Sequence, residues 1–294
     1  MNQLIVLFFT FLTFFSCSSQ EKTDTNLRIN KNINTLFNSI DHIPIVVDNL
    51  ETVKNIFQNQ LHFTVKEGKS HEGIKNCFVK FQDGTYLEFI EPIDSLQTIG
   101  KYYTDFLKTR QGGTSMAISF SNTTFIKSEL NKRNIPFTAD SNSVWQTIEP
   151  ENFDLFFIEY TNKNWKENVA ITTHLNAAIS LNSTYFLCND IDKEAKKYKD
   201  LGFVETGKGK YFETSYLLFK VGQSNLYLLD RQNSSKINQL LNSKNIQGIC
   251  GFEIKVKSLQ TFNNQIKQYD NTKYENNKTT IYFKDYNIFM TFTE

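Results

Sequence analysis

Breakers and reactive side chains are scarce in this sequence: 294 residues include only 12 Gly, 4 Pro, 4 Cys and 4 His. So few glycines and prolines exclude a collagenous or linker-rich chain. A charge excess is missing as well. The 32 Lys and Arg almost balance the 31 Asp and Glu, the net charge is +1, and no basic run occurs, so nothing points to nucleic acid as a partner. The longest apolar stretch, Leu4 to Phe15, is too short to span a bilayer. What is abundant is aromatic. The 27 Phe and 13 Tyr suit a sheet-rich globular protein, and 34.3 kDa allows two domains.

The apolar run from Leu4, followed by Ser16 and Cys17, has the form of the h-region of an export signal. It resembles a bacterial lipoprotein signal, in which Cys17 is lipidated and becomes the mature N-terminus. Two features depart from that pattern: "MNQ" has no Lys or Arg, and Phe14 stands where Leu is usual. A soluble-secretion signal with an incidental cysteine is the alternative. Residues 1–17 are therefore expected to be signal and lipidation site, and 18–36 a flexible tether. That describes a protein held to the bacterial envelope, at the outer membrane, through a lipid anchor. Cys77, Cys188 and Cys250 remain, an odd and widely spaced set that argues against a disulfide framework. Each lies in an apolar strand-like run, where a thiol acts as a small buried hydrophobe.

A unit of strand, helix, strand, strand, strand recurs along the chain. "SIDHIPIVVD" leads to "NLETVKNIFQNQL", whose Leu50, Val53, Ile56, Phe57 and Leu61 have helical spacing, and then to "HFTVKEGK", "KNCFVKF" and "TYLEFIEP". Asp48 with Glu51 reads as the helix cap. Similar units begin at "SMAISFS", "NSTYFLCND" and "CGFEIKVKS". The first and third, "DNLETVKNIFQNQLHFTVKEGK" and "NDIDKEAKKYKDLGFVETGKGK", align with a one-residue slip. His62 then stands at the turn occupied by Gly202 and reads as structural, and His174 falls in the linker between halves.

Four βαβββ modules paired into two domains, an α+β fold, resemble the vicinal oxygen chelate superfamily of glyoxalases, bleomycin-resistance proteins and extradiol dioxygenases. The likeness is sharpest in "DHIPIVVDNLETV…KNCFVKFQDGTYLEFIE", and "HLNAAISL" resembles a segment that opens the second half in that family. The resemblance implies a glyoxalase-like domain over residues 37–165 and a second, degenerate one over 166–294. It leaves open whether modules pair within one chain or are exchanged in a homodimer.

The family's metal ligands lie on the first and last strands of each module. By that resemblance His42 and Glu88 are metal-ligand candidates of module one. The likeness of "YLEF" to "FIEY" makes Glu159 the carboxylate of module two, with the poor ligand Ser115 at the first-strand position. Zn, Fe, Mn or Ni would suit such a site. Glu88 and Glu159 are candidate catalytic carboxylates, and His71, Tyr86 and Trp145 candidate substrate contacts. In the second half the same spacing selects Ser183 with Leu229, or Asn182 with Leu228, and module four gives Gly251 and Thr291. No His or acid stands there. A buried His42 satisfied by Glu88 or backbone, without metal, is the structural alternative. Two functions follow: a metal-dependent lyase or isomerase acting on a substrate with adjacent oxygens, or a small-molecule-binding protein without turnover.

Overall fold

A computed structural model describes residues 37–162, 166–233, 235–241, 247–267, 269–275 and 277–294. The signal, Cys17 and the tether lie outside the described residues. Module one comprises strand β1 (Phe37–Val46), helix α1 (Leu50–Asn55), β2 (Lys66–Glu67), β3 (Ile74–Lys80) and β4 (Tyr86–Pro92). Helix α2 (Thr98–Leu107) and the short β5 (Gly112–Gly113) lead to module two: β6 (Met116–Phe120), α3 (Thr123–Lys132), β7 (Phe137–Ser141), β8 (Trp145–Pro150) and β9 (Leu155–Tyr160). After α4 (Val169–Thr172), module three runs through β10 (Ala178–Cys188), α5 (Ile191–Leu201), β11 (Val204–Tyr211), β12 (Thr214–Val221) and β13 (Ser224–Asp230). Helix α6 (Ser235–Leu240) precedes β14 (Gly248–Val256), α7 (Leu259–Gln265), β15 (Thr272–Glu275), β16 (Lys278–Phe283) and β17 (Ile288–Thr293).

Modules one and two form one mixed sheet, ordered β2-β3-β4-β1-β6-β9-β8-β7 with β5 beside β1. Modules three and four form the other, ordered β11-β12-β13-β10-β14-β17-β16-β15. Modules therefore pair within the chain, through antiparallel β1 with β6 and β10 with β14. Strand alternation sends Ile43, Ile45, Leu87 and Phe89 to one face, where α1 and α3 lie. The helix-bearing faces of both sheets share a single core, joined by the ring contacts Phe37–Phe203, Phe57–Phe283 and Phe63–Phe292.

Each module starts its helix in the same way. Asn49, Asn122, Asp190 and Ser258 are the N-caps, and their side chains accept from the amides of Thr52, Phe125, Lys193 and Thr261. The first cap is thus Asn49, where Asp48 was expected. An Asx side chain caps only if the backbone lets it fold back on the first turn, and at Asn49 that bond is made at 2.9 Å. The one-residue slip between modules one and three also has a physical origin. A π-helical turn over Ile56–Gln60 follows α1 and absorbs the extra residue. His62 (φ 58°) and Gly202 (φ 103°) then occupy the same left-handed turn, and Phe63 and Phe203 enter the same core.

Candidate functional site

The other face of the first sheet carries the polar side chains. In β1, Ile40 pairs with Ile118 and His42 with Ala117, so Asp41 is an extra residue, a β-bulge. The bulge turns Asp41 and His42 to the same side. His42 is 4% exposed, and its Nδ1 lies 2.7 Å from Asp41 Oδ1. A carboxylate oxygen accepts, so the proton of this bond sits on Nδ1. Nε2 is 3.7 Å from Glu88 Oε2, and Asn76 Nδ2 donates to Glu88 Oε1 at 2.7 Å. Below the imidazole, the Tyr86 ring stacks at 4.3 Å, and Phe156 meets it edge-on at 5.5 Å. The Tyr160 hydroxyl donates to Asp41 Oδ1 at 3.0 Å and lies 3.2 Å from the Tyr86 hydroxyl.

Burial pushes both phenols well above the usual tyrosine range, so they act as neutral hydrogen-bonding groups. Lys80 lies across the Tyr86 ring, its Nζ 4.8 Å from the centroid and 3.3 Å from Glu167. Desolvation is the largest influence on Lys80 and holds its ammonium below the ordinary lysine range. Helix α2 closes one end of this face, packing Tyr103, Phe106 and Leu107 on Val46, Ile74 and Ile90.

Of the residues expected from sequence, His42, Glu88 and Tyr86 come together, and three do not join them. Glu159 turns to the helix side: its carboxylate accepts from the amides of Asn122 and Thr123 and from the Thr123 hydroxyl, at 3.1, 3.0 and 2.6 Å. Glu91 does the same for Leu50 at the start of α1, and Glu294 for Leu259 at the start of α7. Asp230 holds the corresponding position in module three. The true counterpart of Glu159 is therefore Glu91, and "FIE" at 89–91 aligns with "FIE" at 157–159. Aligning "YLEF" with "FIEY" slipped the register by an odd number of residues, which exchanges the two faces. Carboxylates at helix starts are favoured by the free amides and the helix dipole. His71 sits in an exposed loop, bonded through its backbone to Ile74, with Glu72 as its nearest charge. Trp145 pairs with Tyr160 on the same face but is 40% exposed at the end of β8, at the rim.

The corrected register identifies four equivalent positions in each sheet. Ser115 precedes its cap Asn122 by the same separation as His42 precedes Asn49, and Phe156 pairs with Ala117 as Glu88 pairs with Pro44. The first sheet thus offers His42, Glu88, Ser115 and Phe156. In the second, the set is Ser183, Tyr227, Gly251 and Thr291, so Tyr227 replaces the expected Leu229. That face is filled by rings. Tyr185 stacks between Tyr211 and Tyr227, both at 4.8 Å, and a Cβ at Gly251 would lie 2.7 Å from the Phe289 ring.

The donor set does not fit the divalent metal that the fold family implies. Module two supplies a hydroxyl and a phenyl ring where two ligands are needed, and the nearest oxygen of Asp41 is engaged by His42 and Tyr160. Among the described residues no three His, Cys, Asp or Glu side chains are placed to hold a metal ion. Sequence reasoning missed Asp41, Asn76, Phe156 and Tyr160. The repeated "FIE" was the signal that would have found Phe156 and Tyr160, since both follow from the register it sets.

Residues 40–202 match the family model described as a glyoxalase-like domain. No curated protein sequence matches the chain. Among solved structures, a hypothetical protein from Staphylococcus aureus aligns with a TM-score of 0.56 at 12% identity, covering 86% of this chain and 98% of its own. A variant of 4-hydroxymandelate synthase from Streptomyces coelicolor gives 0.63 at 8%, covering 87% and 92%. A variant of homoprotocatechuate 2,3-dioxygenase from Brevibacterium fuscum gives 0.60 at 9%, covering 88% and 71%. At such identities the likeness is one of fold, and it agrees with the two paired sheets.

Proposed function

Because the chain belongs to the glyoxalase-like domain family, we propose that the His42 face of its first sheet binds a small molecule directly, without a divalent metal. The observation that carries this reading is the register of module two. Ser115 and Phe156 stand where a second pair of ligands belongs, and Phe156 rests against the imidazole instead. What remains is an oriented histidine, a half-buried glutamate and two neutral phenols set in aromatic walls. That combination of a few polar groups on an apolar lining is the chemistry of a recognition site. The second half, with its equivalent face packed by Tyr185, Tyr211, Tyr227 and Phe289, serves as scaffold through the shared core.

Elemental analysis of the purified protein, after incubation with Zn²⁺, Fe²⁺, Mn²⁺ and Ni²⁺ and removal of excess, tests this. Well below one metal per chain is expected, with no difference between wild type and His42→Ala. Stoichiometric metal that disappears in His42→Ala would overturn the reading and restore the metal-dependent lyase or isomerase.

Export and lipid anchoring through Cys17 are the second part of the proposal, supported by the apolar run and the small residue before the cysteine. Labelled palmitate fed to a bacterial host is expected to enter the full chain and to be lost in Cys17→Ala. Equal labelling of both, or of neither, would count against the anchor.

A further inference from the structure

We propose that the loop after β4 and the first turns of helix α2 dock on a lipid bilayer, the membrane to which Cys17 anchors the chain. The inference rests on the anchor reading and adds the face that the tethered chain turns to the lipid. Four large apolar side chains lie exposed here within one short stretch: Ile93, Leu96, Ile99 and Tyr102. Leu96, at the loop tip, is 94% exposed, more than any other large apolar side chain among the described residues. The loop is built to hold it there. Asp94 Oδ1 accepts from the Leu96 amide at 2.9 Å, and the amides of Ile93 and Asp94 donate to the Gly73 carbonyl at 2.8 and 3.0 Å. Gly100 packs so closely that a Cβ there would stand 2.1 Å from the Asp94 carbonyl oxygen. Tyr103, Phe106 and Leu107 pack on Val46, Ile74 and Ile90, while Ile99 and Tyr102 of the same apolar stripe stay exposed.

Size, charge and reach select a bilayer over other occupants. A stable dimer needs roughly 20–30 residues a side, and this patch offers four apolar side chains. Shallow insertion needs no more, because each apolar side chain gains separately by leaving water. Asp94 and Asp105 offset Lys101 and Lys108, and Asp105 pairs with both lysines at 2.6 Å. Loop and helix therefore carry no net charge that would select a charged partner. The tether, residues 18–36, reaches up to about 65 Å when extended. It joins β1 at Phe37, and β1 runs about 33 Å to Val46, on which α2 packs. The patch thus lies within reach of the bilayer that holds Cys17, and the anchor makes a weak apolar contact intramolecular. Helix α2 also closes one end of the His42 face, so docking holds that site beside the lipid.

The test uses the full chain, purified from bacterial membranes and reconstituted into phosphatidylcholine vesicles. A polarity-sensitive dye is attached at Leu96→Cys or, as a control on α5, at Lys196→Cys. Cys77, Cys188 and Cys250 are buried, and a lipidated Cys17 has no free thiol, so the label is confined to the new cysteine. The dye at position 96 is expected to shift to the blue and to be quenched severalfold more by acyl-chain nitroxide lipid than the dye at 196. High salt should leave both signals unchanged. Adding Ile93→Ser and Tyr102→Ser to the Leu96→Cys chain is expected to lower the docked-to-free ratio at least about tenfold, with an unchanged far-ultraviolet spectrum. Equal quenching at the two positions, loss of the signal in salt, or an undiminished signal in the folded multiple variant overturns the docking face. A blue shift that fades as the protein is diluted with lipid assigns the patch to a second copy and overturns it too. A chain that carries no palmitate and stays off the vesicles strikes the anchor reading, and the membrane face falls with it.

Discussion

Stability is expected to fall by on the order of 3 kcal/mol as the pH drops from 6.5 to about 4, because His174 is folded as a neutral imidazole. The ring lies in the connection between the two sheets and is buried against the edges of Phe63 and Phe81. Its Nδ1 accepts from the Thr64 amide at 3.0 Å, and its Nε2 is 3.1 Å from the Lys80 carbonyl, to which it donates. Both nitrogens are therefore committed, and protonation would break the bond at Nδ1. Burial is the main cause that lowers its pKa from 6.5 to about 4, opposed by the bond to Lys80.

The folded value lies below the unfolded one, so the unfolded chain binds the extra proton first. The contribution is complete above about 6.5, declines through the interval, and changes no further below about 4. Urea titrations at a series of pH values measure it. Wild type minus His174→Gln should show the slope, because glutamine cannot titrate and can still donate to the Lys80 carbonyl. Parallel curves for the two proteins would refute the assignment. Glu167, which pairs with Lys66 at 2.6 Å beside this strap, has a lowered pKa, so its own loss belongs to the acid end of the range.

Phe57→Ala is expected to cost about 3–5 kcal/mol and to lower the melting temperature by roughly 10 °C. Phe57 is fully buried in the π-helical turn and touches Phe89 of its own module at 4.5 Å, Phe63 at 5.6 Å and Phe283 of module four at 5.6 Å. Removing the ring opens a cavity where helix, sheet and the other half of the chain meet, so no single neighbour can collapse into it. Calorimetry should show one transition moving as a whole, since both sheets share this core. A variant that loses little stability, or that melts in two separated steps, would show that the halves are held by something else.

The module order was readable in the sequence because it depends on periodicity, which survives without any knowledge of pairing. The helical spacing from Leu50 to Leu61, and its likeness to "NDIDKEAKKYKDL" in module three, placed helices where α1 and α5 stand. The buried state of Cys77, Cys188 and Cys250 was also correctly anticipated. The site was only half readable. His42 and Glu88 are two strand positions whose neighbours alternate plainly, and they do meet. Glu159 failed because strands repeat every two residues, so similar four-letter strings can match in the wrong phase. Asp41 was hidden for a related reason. In an unbroken strand it would face away from His42, and only the bulge opposite Ala117 and Ile118 turns it inward. Bulges and π-turns insert single residues that leave no periodic trace.

The acids at the ends of the last strands have a consequence for how this architecture can change. Glu91, Glu159 and Glu294 each latch a returning strand to the first amide of its own helix, and all three lie on the helix side of their sheets. The contacts that hold these three modules in phase thus lie on one surface, while the His42 cluster lies on the reverse. Substitutions on the reverse, from histidine to serine or from glutamate to phenylalanine or tyrosine, leave the latches untouched. A fold divided in this way can exchange its ligands, or surrender them in one half, without having to be folded anew.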